Sequence, residues 1–370
     1  AFSFDTKGNP DLTWETSRMF QTGLEFSAGK YLDGTVDYYV KNTTDLIFDR
    51  RVGPSIGYAL IRVNDGELRN QGVEFDLTGH LLNSREAYVD LTVNGEIFKN
   101  EITSMPIDPS TGEQKVLDPQ GRFGWGVGHS IFDFYIREFA GVDPEDGRSM
   151  WTVYYQDNDG DGNFDTGEQV ASLEQFRADN PDLVGSLSKG TTKTYQYATQ
   201  QYVGKSAIPK VRGAVNLAAG FKGFELTVQM LYGLGGYSYD EAYAVLMGND
   251  LIGGNNWHKD ILNRWQAAGD VTDVPRLSDE LDQNVNSTST RFLTKSDYLI
   301  LNNVRLGYNI HAALANKMGM KSASVWVSGD NLLLRSKRAG FNPATDEAGT
   351  SNMYRYSPLS TLSAGVRVSF

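Results

Sequence analysis

Cysteine is absent from the 370 residues, which removes disulfide scaffolds, thiolate zinc sites and thiol nucleophiles at once. Positive charge is also short. The 34 Lys and Arg face 46 Asp and Glu, a formal net charge of −12, so there is no basic excess to displace counterions from nucleic acid. Only four histidines occur, His80, His129, His258 and His311, and no two have the i, i+4 spacing of a helical zinc pair. No run of about 18 apolar residues exists, which excludes a transmembrane helix. The opening Ala1-Phe2-Ser3-Phe4-Asp5 has neither the charged start nor the apolar centre of a signal peptide, so the chain reads as a mature product or a fragment of one.

What is present is alternation. The hydrophobic fraction is 40 %, and much of it falls on every second residue. Val73, Phe75, Leu77, Gly79 and Leu81 alternate with Glu74, Asp76, Thr78 and His80. Ala87 to Ile97, Val211 to Phe221, Phe224 to Tyr232, Val304 to Ile310 and Leu362 to Phe370 follow the same beat. A period of two is the mark of strands with one apolar and one polar face. Many of these runs reach about 9–12 residues, the length a tilted strand needs to cross a hydrocarbon layer and longer than the usual strand of a soluble sheet. Tyr38, Tyr39, Tyr232, Tyr298 and Tyr308 lie near run ends, where aromatic girdles meet lipid headgroups.

The pattern predicts ten or eleven strands, at 17–28, 33–48, 56–64, 71–82, 86–98, 194–204, 210–221, 223–234, 296–310, 321–332 and 358–370. Asn83-Ser84-Arg85 and Lys222-Gly223 make tight connections, whereas residues 99–193 and 235–295 are long loops. Short turns on one side and long loops on the other fit an all-β, antiparallel transmembrane β-barrel portion whose long extracellular loops contain short helices. Two other readings share the alternation. One is a calcium-dependent extracellular β-sandwich module for binding or adhesion, soluble without detergent. The other is a small self-contained porin-like barrel, whose first and last strands would pair.

Several patches, in order along nearly the whole chain, resemble the SusC/RagA family of TonB-dependent outer-membrane transporters. They are NPDLTWETS (Asn9–Ser17), GTVDYYVKNTTDLIF (Gly34–Phe48), NQGVEFDL (Asn70–Leu77), FAGVDPEDGRSMW followed by DNDGDG, NRW (Asn263–Trp265), SDYLILNNVRLGYNI and VWVSGDNLL, before Phe370. The resemblance implies about ten strands of a plugged barrel of about 22. It also implies a SusD-like surface lipoprotein as lid, energy from TonB–ExbB–ExbD, and import of oligosaccharides or peptides. No plug precedes Ala1, so the chain looks like the C-terminal half of such a transporter, with transport belonging to the full assembly. Glu74, Asp76, Asp90, Glu96, Arg212, Glu225, Arg305 and Arg367 would line the wet lumen, and Phe370 would be the aromatic residue read by the barrel-assembly machinery.

The stretch DNDGDGNFDTGE, residues 157–168, meets the EF-hand-type calcium pattern. Asp157, Asp159 and Asp161 take positions 1, 3 and 5, Gly162 the turn at 6, Asn163 the backbone-carbonyl position 7, Asp165 position 9 and Glu168 position 12. Without a cation, five carboxylates so close would repel one another. A structural Ca²⁺ that orders the first long loop is therefore expected, the alternative being a solvated acidic turn. Val170, Leu173 and Phe176 suggest an exiting helix, while WTVYYQ ahead of the loop reads as a strand.

No constellation supports catalysis. Gly53-Pro54-Ser55-Ile56-Gly57 fits the nucleophile-elbow spacing, yet Pro54 and the lack of a following helical pattern argue for a loop. Gly124-Trp125-Gly126-Val127-Gly128 precedes no helix that could hold a phosphate. Trp125, Trp151, Tyr154, Tyr155, Trp257 and Trp265 fall in the long loops, where they could stack on sugar rings, pack on an extended peptide, or build the loops' own cores.

Overall fold

A computed structural model describes residues 8–51, 60–108, 111–249, 256–278, 281–345, 350–351 and 357–370. Nine long strands form one antiparallel sheet: β1 (Thr16–Ala28), β2 (Leu32–Thr44), β3 (Glu67–Asn83), β4 (Ala87–Ser104), β5 (Val211–Phe221), β6 (Phe224–Leu234), β7 (Tyr298–Asn309), β8 (Ser322–Arg335) and β9 (Thr361–Ser369). Each strand pairs with its neighbours in chain order, and β1 and β9 are the two edges of an open sheet. Pairing of first and last strands, which a self-contained small barrel requires, is thus not the arrangement here.

Register settles the two faces. One row runs Phe26, Gly34, Leu77, Val93, Val215, Met230, Leu301, Leu333 across eight strands. A second runs Leu91, Leu217, Val228, Val304, Gly329, Leu362 and reaches β9. The apolar positions are open: Leu24, Phe221, Leu306, Val327 and Leu362 are all exposed. On β4 the band extends from Ala87 to Ile97, ten steps of about 3.4 Å. At a tilt of about 45° that rise covers about 24 Å, the height of the lipid-facing band of an outer-membrane barrel. Tyr38, Tyr232 and Tyr308 lie on this face, whereas Tyr39 and Tyr298 fall on the polar one.

The connections divide as the pattern predicts, with three differences. The run predicted at 33–48 breaks after Thr44, where Asp45 takes φ +58°. Ile47–Arg51 then pairs with Leu60–Asn64 in a hairpin outside the large sheet. The run at 194–204 contributes Gln200–Ser206 to a loop sheet, so the first long loop extends from β4 to β5 over residues 105–210. The β7–β8 connection carries the short helix α3 (Ala312–Lys317), capped by His311, whose Nδ1 accepts from the Ala313 N–H.

The long loops build a head with its own core. Within the first, Phe139–Val142, Ser149–Tyr155 and Ser188–Thr192 form one sheet, while Gln200–Ser206, Asp133–Arg137, Phe123–Trp125 and Asp118–Gln120 form another. Helix α1 (Leu173–Asp179) lies in this loop and α2 (Glu241–Leu246) in the second. Phe134, Ile136 and Ala207 from the first loop pack with Tyr239, Ala244, Met247, Ile261, Val274 and Phe292 from the second.

Candidate functional site

The polar face of the sheet is one candidate surface. Cross-strand pairing places Asp37, Glu74, Glu96 and Arg212 in a single row, with Asp76 opposite Asn94 one step away. Asp90, Ala218, Thr227 and Arg305 form another row on the same face, which also holds Glu225 and Arg367. All eight residues expected to line a lumen therefore share one side. Arg212 is ion-paired with Glu96, and His80 bridges strands through Asp90 at 2.7 Å and Asp33 at 3.0 Å. Asp37, Glu74, Asp76, Glu96, Arg212 and Tyr298 line an open concavity of about 500 Å³. Such a wall presents water-compatible charge on one side and hydrocarbon-compatible residues on the other.

The acidic loop at 157–168 is the second candidate. Carboxylate oxygens of Asp157, Asp159 and Asp161 lie within 4.8 Å of one another. Asp157 accepts from the N–H groups of Gly160 (2.8 Å) and Gly162 (3.0 Å), which wraps the chain around it. Gly162 sits at φ +76°, where a side chain would be strained. Glu168 closes the loop by accepting from Asn158 N–H at 2.8 Å and Asp165 N–H at 3.1 Å. Asn163 donates its backbone N–H to Asp161, and that bond lowers the Asp161 pKa. Asp165 is raised by desolvation and then by the carboxylates of Asp161, Asp159, Glu168 and Asp157. This donor set, hard oxygens at alternate positions around a sharp turn, suits Ca²⁺. The exiting helix α1 begins only at Leu173, where the Ser172 hydroxyl accepts from Gln175 N–H.

The aromatic residues largely pack within the loops. Trp151 and Tyr155 are 2 % and 4 % exposed, with ring neighbours Tyr195 and Phe164. Buried rings of this kind cannot offer a face to a sugar or peptide. Tyr154 lies under Lys189. Trp125 donates to Ile131 O and meets Phe48 edge-on. Trp257 donates to Gly248 O and packs against the head core. Trp265 donates to Pro144 O at 3.0 Å and so joins the two loops. Phe370, just after β9, is 88 % exposed. The Gly53–Gly57 segment lies outside the described residues.

An ionic clasp between the loops had no spacing signal. Arg276 forks onto Asp282 at 2.7 and 3.0 Å and also donates to Asp146 O. Lys193 pairs with Asp143 and Asp146. The FAGVDPEDGRSMW patch contains Asp146 and Arg148, but their second-loop partners, Arg276 and Asp282, lie about 130 residues away in sequence.

Residues 1–197 match the family described as TonB dependent receptor-like, beta-barrel, and the chain belongs to that family. Its setting is the outer membrane. TonB-dependent receptor P3 of Formosa agariphila is 27 % identical over 353 residues, covering 93 % of this chain and 32 % of the relative. TonB-dependent receptor SusC of Bacteroides thetaiotaomicron is 26 % identical over 198 residues, 51 % of this chain and 19 % of the relative. The solved RagAB peptide transporter superposes with a TM-score of 0.77 at 26 % identity, over 100 % of this chain and 37 % of that one. The chain spans about a third of the length of the first curated relatives it matches.

Proposed function

We propose that this chain is part of the barrel wall of a SusC-like, TonB-dependent importer that brings oligosaccharides or peptides across the outer membrane and is not an enzyme. The observation that carries this reading is the two-faced sheet: an apolar outer band about 24 Å high backed, strand by strand, by a charged inner face. A wall of that kind separates lipid from a water-filled lumen. The likeness to the RagAB peptide transporter over the whole chain puts peptides first and oligosaccharides second. A SusD-like lipoprotein would close the mouth from outside, and TonB–ExbB–ExbD would supply energy through parts of the protein beyond these residues. The test uses cells that make the full-length protein, supplied with fluorescent peptides or maltooligosaccharides. Uptake of one class that stops on deletion of the protein, and on collapse of the proton gradient, is expected. Uptake of neither class, or uptake indifferent to the gradient, would refute import.

We further propose that the 157–168 loop binds one structural Ca²⁺ through Asp157, Asp159, Asp161, Asp165, Glu168 and the carbonyl of Asn163. The ion would offset the mutual repulsion of the five carboxylates and stiffen the loop without taking part in chemistry. At calcium a hundredfold above its dissociation constant, the stabilisation is about 2.7 kcal/mol. Chelation should open residues 157–168 to proteases, and Asp159→Asn should shift protection to higher calcium. Cleavage that ignores calcium would leave a solvated turn.

A further inference from the structure

A cavity of about 200 Å³ lies between the two long loops, lined by Arg148, Ser149, Trp151 and Lys193 from the first and by Asp282 and Gln283 from the second. Its polar groups are unevenly used. Ser149 is 4 % exposed, and its Oγ has no hydrogen-bond partner. A buried hydroxyl left this way costs about 1–3 kcal/mol, so a site that keeps one calls for an explanation. Asp282 already takes two bonds from Arg276. Arg148 therefore meets it only through Nε at 3.6 Å, and its terminal guanidinium nitrogens make no hydrogen bond among the described residues. The indole N–H of Trp151 has none there either. Lys193, by contrast, is held by Asp143 and Asp146. The cavity thus holds spare donors, one of them a cation, while its one carboxylate is taken.

We propose that this cavity binds a ligand carboxylate, with the free end of the Arg148 guanidinium as principal donor and the Ser149 hydroxyl and Trp151 N–H as supporting ones. A carboxylate brings two acceptor oxygens and the charge that matches a guanidinium, the pairing with the strongest hydrogen bonds available to an arginine. The volume suits a small residue or a single ring. Either the free carboxyl end of a short peptide or an acidic sugar carries that group. The inference is independent of the import reading, since it concerns equilibrium binding to the isolated protein.

The test is calorimetric titration of the full-length protein in detergent with triglycine, triglycine amide, glucuronate and glucose. Binding of triglycine or glucuronate without their neutral counterparts supports the proposal. A response to triglycine alone identifies a peptide end, and to glucuronate alone an acidic sugar. Arg148→Gln should weaken binding about 10- to 100-fold, the range for a charge-assisted bond. Because Arg148 also touches a buried carboxylate, Ser149→Ala is the companion variant: it removes a hydroxyl with no partner, should hold or raise the melting temperature, and should weaken binding severalfold. No binding by either acid, equal binding of the neutral compounds, or unaltered affinity in Ser149→Ala together with any folded Arg148→Gln would overturn the assignment.

Discussion

The sheet and the head solve opposite burial problems within one chain. Of the apolar side chains buried in the protein, only Ile102, Ala214 and Ala323 belong to the nine strands among the described residues; the rest lie in the loops and connections. The sheet sends its Leu, Val and Phe outward, where water would penalise each one and hydrocarbon does not. The head turns Phe134, Ile136, Met247 and Phe292 inward, the arrangement suited to water. One chain therefore carries two hydrophobic rules, and the solvent on each side decides which applies.

The largest expected effect falls on the head. Phe134 is fully buried in its core, and Phe134→Ala should cost about 3–5 kcal/mol. Limited proteolysis should then cut residues 105–210 and 235–297, while the heat-modifiable migration of the barrel stays intact. Loss of both together would break the comparison and make head and sheet one cooperative unit. The next effect falls on the sheet. Leu217 faces outward and Ala218, its neighbour, inward beside Asp90. Leu217→Arg should cost about 2–4 kcal/mol in a bilayer, as mid-membrane charge does. Ala218→Arg should cost far less. Urea unfolding in lipid vesicles reads both, and equal costs would mean that neither face meets lipid.

The same contrast explains what the sequence could tell. Seven of the nine sheet strands match predicted runs at both ends to within about four residues, because a wall with different solvents on its two faces writes a period of two directly into the chain, whereas β4 runs on to Ser104, six residues past its predicted end. β2 fits at its start, but Asp45 ends it early, through a left-handed conformation that no periodicity reveals. The head was much less legible. Its strands are short, both faces are covered, and its core joins Phe134 to Phe292 across more than 150 positions. The calcium-type loop was readable because its donors are local, whereas Arg276 and Asp146 meet only through the fold. Spacing assigns the aromatic residues to the long loops but does not show that Trp151 and Tyr155 turn inward.

A smaller effect tests the join between the loops. Gly147 stands at φ +74°, and a Cβ there would lie 2.4 Å from the ring of Trp265. Gly147→Ala should therefore cost about 1–3 kcal/mol through strain and overpacking. Faster hydrogen exchange is expected in both 143–148 and 263–276. A change confined to one of these segments would mean that the loops are not clasped there.

The smallest effect is a division within the head on acidification. Burial opposes the charge on Asp282, yet the bonds from Arg276 and Ser278 outweigh it and lower its pKa. Bonds from Lys193 likewise lower Asp143, and lower Asp146 against its desolvation. Lys193 is raised, chiefly by Asp143. Depressed carboxylates stabilise above their unfolded value, near 3.8, and lose that contribution as pH falls through the lower folded values. The raised lysine contributes below its ordinary 10.5 and loses the contribution only as pH rises beyond that. The clasp should therefore be flat through neutrality and weaken below about pH 4. Glu174 in α1 runs the other way, because desolvation raises its pKa and its charged form is the costly one. As pH falls through its folded value and then its ordinary 4.5, that cost is relieved. Hydrogen exchange at pH 3.5 against pH 7, corrected for intrinsic rates, should show 143–148 and 276–282 loosening while α1 holds. Uniform loosening would mean that Glu174 is solvated like any surface carboxylate, and that the head does not divide in this way.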